Sequence, residues 1–463
     1  MVALIHALTH SELELLSIIP YHKHCKGGEL DIARAIFDLC ILSPSLEQSD
    51  STQEFINDAR EEEVSVKFKP VKPLARHFNA LFEGYRTLDD PYKKSKDSRS
   101  ERSPQEHTQL LFSHMRSMNI PPDSYTVTLL MGLQKDSNEI TELWNNVMEL
   151  TELRMEPPIY HSIITAYGKA GDAASACIVF DKMIASNNLN RNRNSWNVLL
   201  SALSKASSKN PGVVIDSLSS SGAGLNLKVD VIHQNPFSGK NFIDLVNGMT
   251  APQAAKEILD LMNYACHDDA DKKVADLVLR PNAQAFCLVA SALSQSDGLA
   301  SEEAISIYNV AIENGISLDG RFFNAIIRCY GDNVKLALDS WKTVFRPAAL
   351  SASGEDISLI TGDLRKSKTG LNLVASYHGL MYVAGRAYRP DIALRLAYAM
   401  AKEGVDPTEA ALNTYNAGAR IRKEGLGKVP LHGQYENLLL VECTKYDSND
   451  RRRLTDKRVR IIL

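Results

Sequence analysis

A chain of 463 residues is longer than one compact core accommodates, so it either divides into domains or grows along one axis by repetition. Its 52 basic and 56 acidic side chains give a formal net charge of −4, which excludes a polycation that binds nucleic acid through its global field; an anion-binding surface has to be a local patch. The 7 cysteines are widely scattered, odd in number and free of any CxxC pair, which points to a reducing compartment and gives no support to zinc ribbons, thioredoxin-type redox sites or deaminase-type zinc sites.

The N-terminal stretch "MVALIHALTHSELELL" carries two glutamates and no arginine, and reads as neither a signal peptide nor a transit peptide. Nowhere does an apolar run approach the ~18 residues a membrane span needs. Residues 1–74 are expected to form an N-terminal helical region holding one degenerate repeat, "CKGGELDIARAIFDLCI" (25–41). From residue 75 a recurrent opening appears, a large apolar residue followed by mostly apolar residues at helical spacing. It occurs as "FNALFEGYRT" from Phe78, "VTLLMGLQKD" from Val127, "YHSIITAYGKA" from Tyr160 and "WNVLLSALSKA" from Trp196. It returns as "FCLVASALSQ" from Phe286, "FNAIIRCYGD" from Phe323, "YHGLMYVAGRA" from Tyr377 and "LNTYNAGARI" from Leu412.

The steps between openings are 49, 33, 36, 90, 37, 54 and 35 residues, four of them close to 35. The longer steps hold polar insertions. Helical repeats are therefore expected at 75–206, 251–345 and 371–425, with polar insertions at 207–250 and 346–370, a charged break at 89–107 and a basic tail at 426–463 that contains "RRRLTDKRVR". A second helix follows most openings. In "DAASACIVFDKMIASN" (172–187), Ala173, Ala176, Val179, Phe180 and Met183 form one apolar stripe. Gly171 stands where the first helix must end and Asp172 where the second can be capped. "APQAAKEILDLMNYAC" (251–266) is the expected second helix of the interrupted repeat that opens at Trp196. A hairpin of this size cannot bury its apolar faces alone, so the predicted fold is all-α: an α-solenoid of stacked helix-turn-helix repeats with long loop insertions.

The units close in proline-containing turns, "NIPPDSYTVT" (119–128), "LRPNAQAFC" (279–287) and "GVDPTEAALN" (404–413). With "YHSIITAYGKAG…VFDKM" this pattern resembles the pentatricopeptide repeat, most closely over Tyr160–Asn192 and more loosely over residues 75–425. The resemblance implies a protein that binds single-stranded RNA, about one base per repeat, reading each base with the residue after the opening and the last residue of the unit. Carried over, it pairs Asn79 with Asp123, Thr128 with Glu156, His161 with Asn192, Asn197 with Asn282, Cys287 with Asp319, Asn324 with Leu373 and His378 with Thr408, and leaves Asn413 without a closing partner. Asn79 with Asp123 resembles the uracil-preferring combination, and Asn197 with Asn282 the general pyrimidine one. Glu156 and Leu373 depart from the pattern as closing residues, and His161, His378 and Cys287 are uncommon at theirs. Two residues before each opening, where bases are expected to stack, stand Arg76, Tyr125, Pro158, Asn194, Gln284, Arg321, Ala375 and Ala410.

Six first helices end in a basic residue, Arg86, Lys135, Lys169, Lys205, Arg386 or Arg420. Stacking would line these up to track phosphates; cations also favour helix C-termini for their own sake. No residues form a catalytic constellation, and neither "HKHC" (22–25) nor "CHDD" (266–269) makes a convincing metal site. The expectation is a non-enzymatic protein with no cofactor and no membrane association. Its expected partner is single-stranded RNA, with ribonucleoprotein or ribosomal proteins as the alternative. The resemblance implies a mitochondrial or plastid location.

Overall fold

The structure is a computed structural model, and it describes residues 74–88, 103–150, 156–185, 193–216, 242–264, 280–295, 301–351, 368–405, 407–426 and 433–447. The half-repeat at 25–41, most of the three insertions, Asn192 and the 451–460 run lie outside the described residues. The fold is all-α, and among the described residues the only β feature is an isolated antiparallel bridge between Val214 and Thr250. The chain forms two compact units, one of Met1–Asn190 with Asp216–Leu245 and one of Arg191–Ile215 with Val246–Leu463.

In the first unit the helices are α1 (Ala75–Leu88), α2 (Pro104–Ser117), α3 (Ser124–Leu133), α4 (Ser137–Leu150), α5 (Pro157–Ala170) and α6 (Ala173–Ala185). They pair as hairpins, and the first helices α1, α3 and α5 pack in sequence, which is the stacking a solenoid requires. The hairpin ends are set by local chemistry. Gly171 adopts φ 92 at the end of α5, and its N–H and that of Asp172 both reach the Tyr167 carbonyl at 3.0 Å. Asp172 then accepts the Ser175 N–H at 2.8 Å and caps α6. Asp172→Ala should cost about 1 kcal/mol, read as a lower urea midpoint.

The predicted stripe Ala173, Ala176, Val179, Phe180 and Met183 is buried, and Cys177, Ile178 and Ile184 are buried as well. A short helix, α8 (Phe242–Val246), accounts for part of this extra burial. Its Phe242 lies edge-on to Phe180 at 5.1 Å and is 0% exposed. Asp181 accepts the Phe242 N–H at 2.7 Å. Burial raises the Asp181 carboxyl above its usual range, opposed by main-chain bonds from Ile243 and Phe242.

The second unit begins with α7 (Arg193–Lys209), which packs against α9 (Ala251–Tyr264), its expected hairpin partner across the long insertion. There follow α10 (Ala283–Leu293), α11 (Ser301–Glu313), α12 (Gly320–Arg328) and α13 (Val334–Ser340). A π-helical turn (Trp341–Phe345) joins α13 to α14 (Arg346–Ser351), and α15 (Lys368–Arg386), α16 (Pro390–Lys402), α17 (Glu409–Leu426) and α18 (Gly433–Asp447) complete the unit. The first helices α7, α10, α12, α15 and α17 stack in chain order.

Two stretches differ from expectation. Residues 346–351, placed within a polar insertion, are helical because Ala348 and Ala349 are buried and Arg346 pairs with Glu403 at 3.0 Å. Residues 433–447, placed in the basic tail, form α18 because Leu439 and Cys443 bury completely against α16 and α17. The basic run "RRRLTDKRVR" follows it in sequence, at 451–460.

Glycines let the axis of the second unit close tightly. Gly385 on α15 meets the main-chain carbonyl of Tyr415, and Gly418 on α17 meets that of Tyr382. On the other side of α15, a Cβ on Gly379 would stand 3.0 Å from the Asn324 carbonyl oxygen.

Candidate nucleic-acid interface

Seven of the eight openings (Phe78, Val127, Tyr160, Trp196, Phe286, Phe323 and Tyr377) are buried, and Leu412 is half-buried. Each fixes the rotation of its helix. The residues two before and one after an opening are three apart, and a position seven residues further on shares their side. Arg76, Asn79 and Arg86 are such a set on α1; Tyr125, Thr128 and Lys135 are the set on and just after α3.

In the first unit these sets meet across adjacent helices. Asp123, the closing residue, is the N-cap of α3 and accepts the Thr126 N–H at 2.7 Å. Asn79, 5% exposed, donates Nδ2 to its carboxylate oxygens at 3.2 and 3.4 Å. Thr128 and Glu156 are not joined: Thr128 donates to the Ser124 carbonyl, and Glu156 is the N-cap of α5 without a side-chain cap bond. His161 is half-buried, and burial holds its imidazole below its usual value, so it is neutral at pH 7.

In the second unit Asn282 caps α10 through the Ala285 N–H at 2.9 Å, and Asn197 Nδ2 approaches its Oδ1 at 3.5 Å. Asp319 caps α12 through the Phe322 N–H at 3.1 Å. Cys287 lies near enough that Asp319 adds to the effect of burial, and together they push its thiol up to about 11. The pairing of Asn324 with Leu373 fails. Nothing in "LNLVASY" stops a helix, so α15 starts at Lys368 and Leu373 sits inside it at 4% exposure; Asn324 donates instead to the Ala375 carbonyl at 2.9 Å. His378 is half-buried and lowered by burial like His161; Thr408 immediately precedes α17, and Asn413 is exposed on it. Where the closing residue is Asp123, Asn282 or Asp319, it is thus also the cap of the next helix, and the same oxygen chemistry serves both tasks.

The basic residues divide. Arg86, Lys169 and Arg386 are in last turns, while Lys135 follows the end of α3. Lys169 Nζ donates to the Gly132 carbonyl near the C-terminus of α3 at 3.2 Å, and Arg86 approaches the same glycine from α1. Lys205 and Arg420 are not in last turns, contrary to expectation, because α7 runs on to Lys209 and α17 to Leu426. A helix dipole accounts for the first group and not for these two.

Of the residues two before each opening, seven are exposed and Ala375 is half-buried. Tyr125 donates to Glu83 at 3.2 Å, and Arg321 holds Asp319 at 2.8 Å while staying 81% exposed. Sequence reasoning missed Glu83, the Thr126 hydroxyl and the Arg328 guanidinium, which lies 3.9 Å from the centre of the Tyr382 ring. Arg328 and Tyr382 stand five residues after successive openings, so equal register was the available signal.

Among the described residues no three His, Cys, Asp or Glu side chains gather to hold a metal, and no helix is long and apolar enough to cross a membrane. Comparison with curated proteins gives no match. Similar solved structures include PPR10 in complex with an 18-nt psaJ RNA element, at 14% identity and a TM-score of 0.28, covering 91% of this chain and 56% of that one. This chain therefore spans little more than half the length of that one. PPR10 from maize is similar at 13% identity and a TM-score of 0.15, covering 91% of this chain and 80% of that one. The family model described as PPR repeat matches residues 158–188, the stretch that folds as α5, the Gly171 turn and α6. Over those residues the chain carries a pentatricopeptide (PPR) repeat.

Proposed function

We propose that the whole chain is an array of pentatricopeptide repeats, a non-catalytic single-stranded RNA-binding protein that acts on organellar transcripts, in their stability, processing or translation. The observation that carries the reading is the meeting of a residue just after one opening with the cap of the next first helix, as Asn79 with Asp123 and Asn197 with Asn282. Each pair offers a small polar edge matched in size to one base edge. The exposed Tyr125 ring, two residues from Asp123, and the Arg321 guanidinium, on Asp319, offer stacking surfaces. Arg86, Lys135, Lys169, Lys205, Arg386 and Arg420 supply charge for phosphates that the chain as a whole lacks. The family resemblance supports a mitochondrial or plastid location as part of this reading.

Crosslinking in cells followed by RNA sequencing, with binding of pyrimidine-rich single-stranded oligomers in vitro, tests the reading. Binding should weaken with salt, log K falling by about 0.7 per phosphate neutralised for each unit of log salt. Recovery of ribosomal or other ribonucleoprotein subunits without crosslinked RNA would replace this reading with that of a helical adaptor.

A further inference from the structure

Tyr125 is the one aromatic ring among the eight residues that stand two before an opening. It lies in the first turn of α3 and is 49% exposed, so about half of its surface is open to a ligand. Its hydroxyl donates to Glu83 Oε2 on α1 at 3.2 Å, a residue 42 positions earlier in the chain. The ring is thus held at both ends, by its own main chain on α3 and by a carboxylate on the neighbouring first helix. Burial first, and then the Glu83 carboxylate, raise the phenol above its ordinary value; Arg86 opposes them and Asp123 adds to them. The hydroxyl therefore remains a donor at neutral pH. Arg321, the exposed side chain two before Phe323, is held differently, by Asp319 two residues away on its own loop. Glu83 stands five residues after Phe78, the register at which Arg328 and Tyr382 also meet across adjacent first helices.

Near an RNA strand a carboxylate is unfavourable through its charge alone, because it repels phosphates. As a hydrogen-bond acceptor it acts the other way. A ring that is already immobilised has less side-chain freedom to lose when a base stacks on it. The two effects have opposite signs, which makes them separable by substitution. We propose that Glu83 is a positioning residue that holds the Tyr125 ring ready for a base to stack on its open face. Glu83 touches no base, and the contribution is indifferent to base identity, since every base has a π-face. The role rests on the RNA-binding reading above.

The test binds the full chain to a pyrimidine-rich single-stranded RNA in which 2-aminopurine replaces one nucleotide at a time, reading affinity and fluorescence together. Tyr125→Leu, which removes the ring, marks the position whose fluorescence the ring quenches. Tyr125→Phe keeps the ring and the charge but loses the bond; it should weaken binding about fourfold and relieve quenching at that position alone. Glu83→Ala should do the same, although it removes a negative charge. Glu83→Gln, which keeps an acceptor, should bind at least as tightly as wild type. The double variant Glu83→Ala with Tyr125→Phe should be no weaker than Tyr125→Phe. Glu83→Ala that binds as tightly as wild type, or more tightly, overturns the role, because only the charge then matters. A double variant weaker than Tyr125→Phe also overturns it, since the two groups then act independently. Should Glu83→Ala fail to fold, Tyr125→Phe decides alone, and wild-type affinity and quenching in it overturn the role. A wild type that binds RNA while Tyr125→Leu changes fluorescence nowhere overturns the stacking and leaves RNA binding standing. A wild type that retains no RNA overturns the RNA-binding reading itself, and the role of Glu83 with it.

Discussion

Gly385→Ala and Gly418→Ala should each destabilise the second unit by about 3 kcal/mol, lowering its thermal midpoint by roughly 6–12 °C. The methyl group added at Gly385 would fall on the Tyr415 carbonyl, and that at Gly418 on the Tyr382 carbonyl. Main chain cannot turn aside as a side-chain tip does, so α15 and α17 would have to separate along their contact. Separation would loosen Tyr382 and Tyr415, both buried. Gly212→Ala is the control, since nothing lies within 4 Å of its added methyl and the change should stay within about 0.5 kcal/mol. Thermal melts by circular dichroism read the difference; coincident melts of Gly385→Ala and wild type would refute the close crossing.

Reversing two charges should have the larger effect on binding. Lys169→Glu with Lys205→Glu is expected to weaken affinity for every RNA sequence on the order of 100-fold at low salt, and to make the salt dependence shallower by about 1.4 in slope. The two positions separate the competing explanations. Lys169 is in the last turn of α5 and bonds the Gly132 carbonyl, so helix-end electrostatics explains it without any ligand. Lys205 is a turn short of the end of α7, where that explanation lapses. Filter binding across a salt series, on variants shown to fold, distinguishes them. Unchanged affinity would reduce both lysines to structural roles.

Most of the fold was legible because burial imposes a period. Four of the seven steps between openings lie near 35 residues, and seven of the eight openings are buried. Gly171 and Asp172 were legible because a left-handed turn and a helix cap each demand particular chemistry. Helix lengths were not. Neither "LSKASSKN" nor "LNLVASY" contains a stop signal, so α7 outran its expected end and α15 began before its expected start. That shift alone displaced Lys205 from a last turn and put Leu373 inside a helix. The glycine contacts of α15 and the Glu83 carboxylate escaped for another reason: each acquires meaning only from a residue on a neighbouring helix, and a single sequence does not say which faces meet. The candidate site was legible as positions on one side of each first helix, but not as bonds between them.

The long insertion that follows α7 is tied down where it leaves and where it returns. Ile215 exchanges main-chain hydrogen bonds with Met249 and Gly248, and Phe242 is held by Asp181 and seated on Phe180. With both ends anchored, the length between them is thermodynamically cheap, each doubling costing only about 0.6 kcal/mol of closure entropy. Chain inserted between these two anchors would therefore leave both of them in place. A fluorescent reporter or a recruitment peptide could be spliced there, and lineages could lengthen or trim it, while the repeats on either side keep their register.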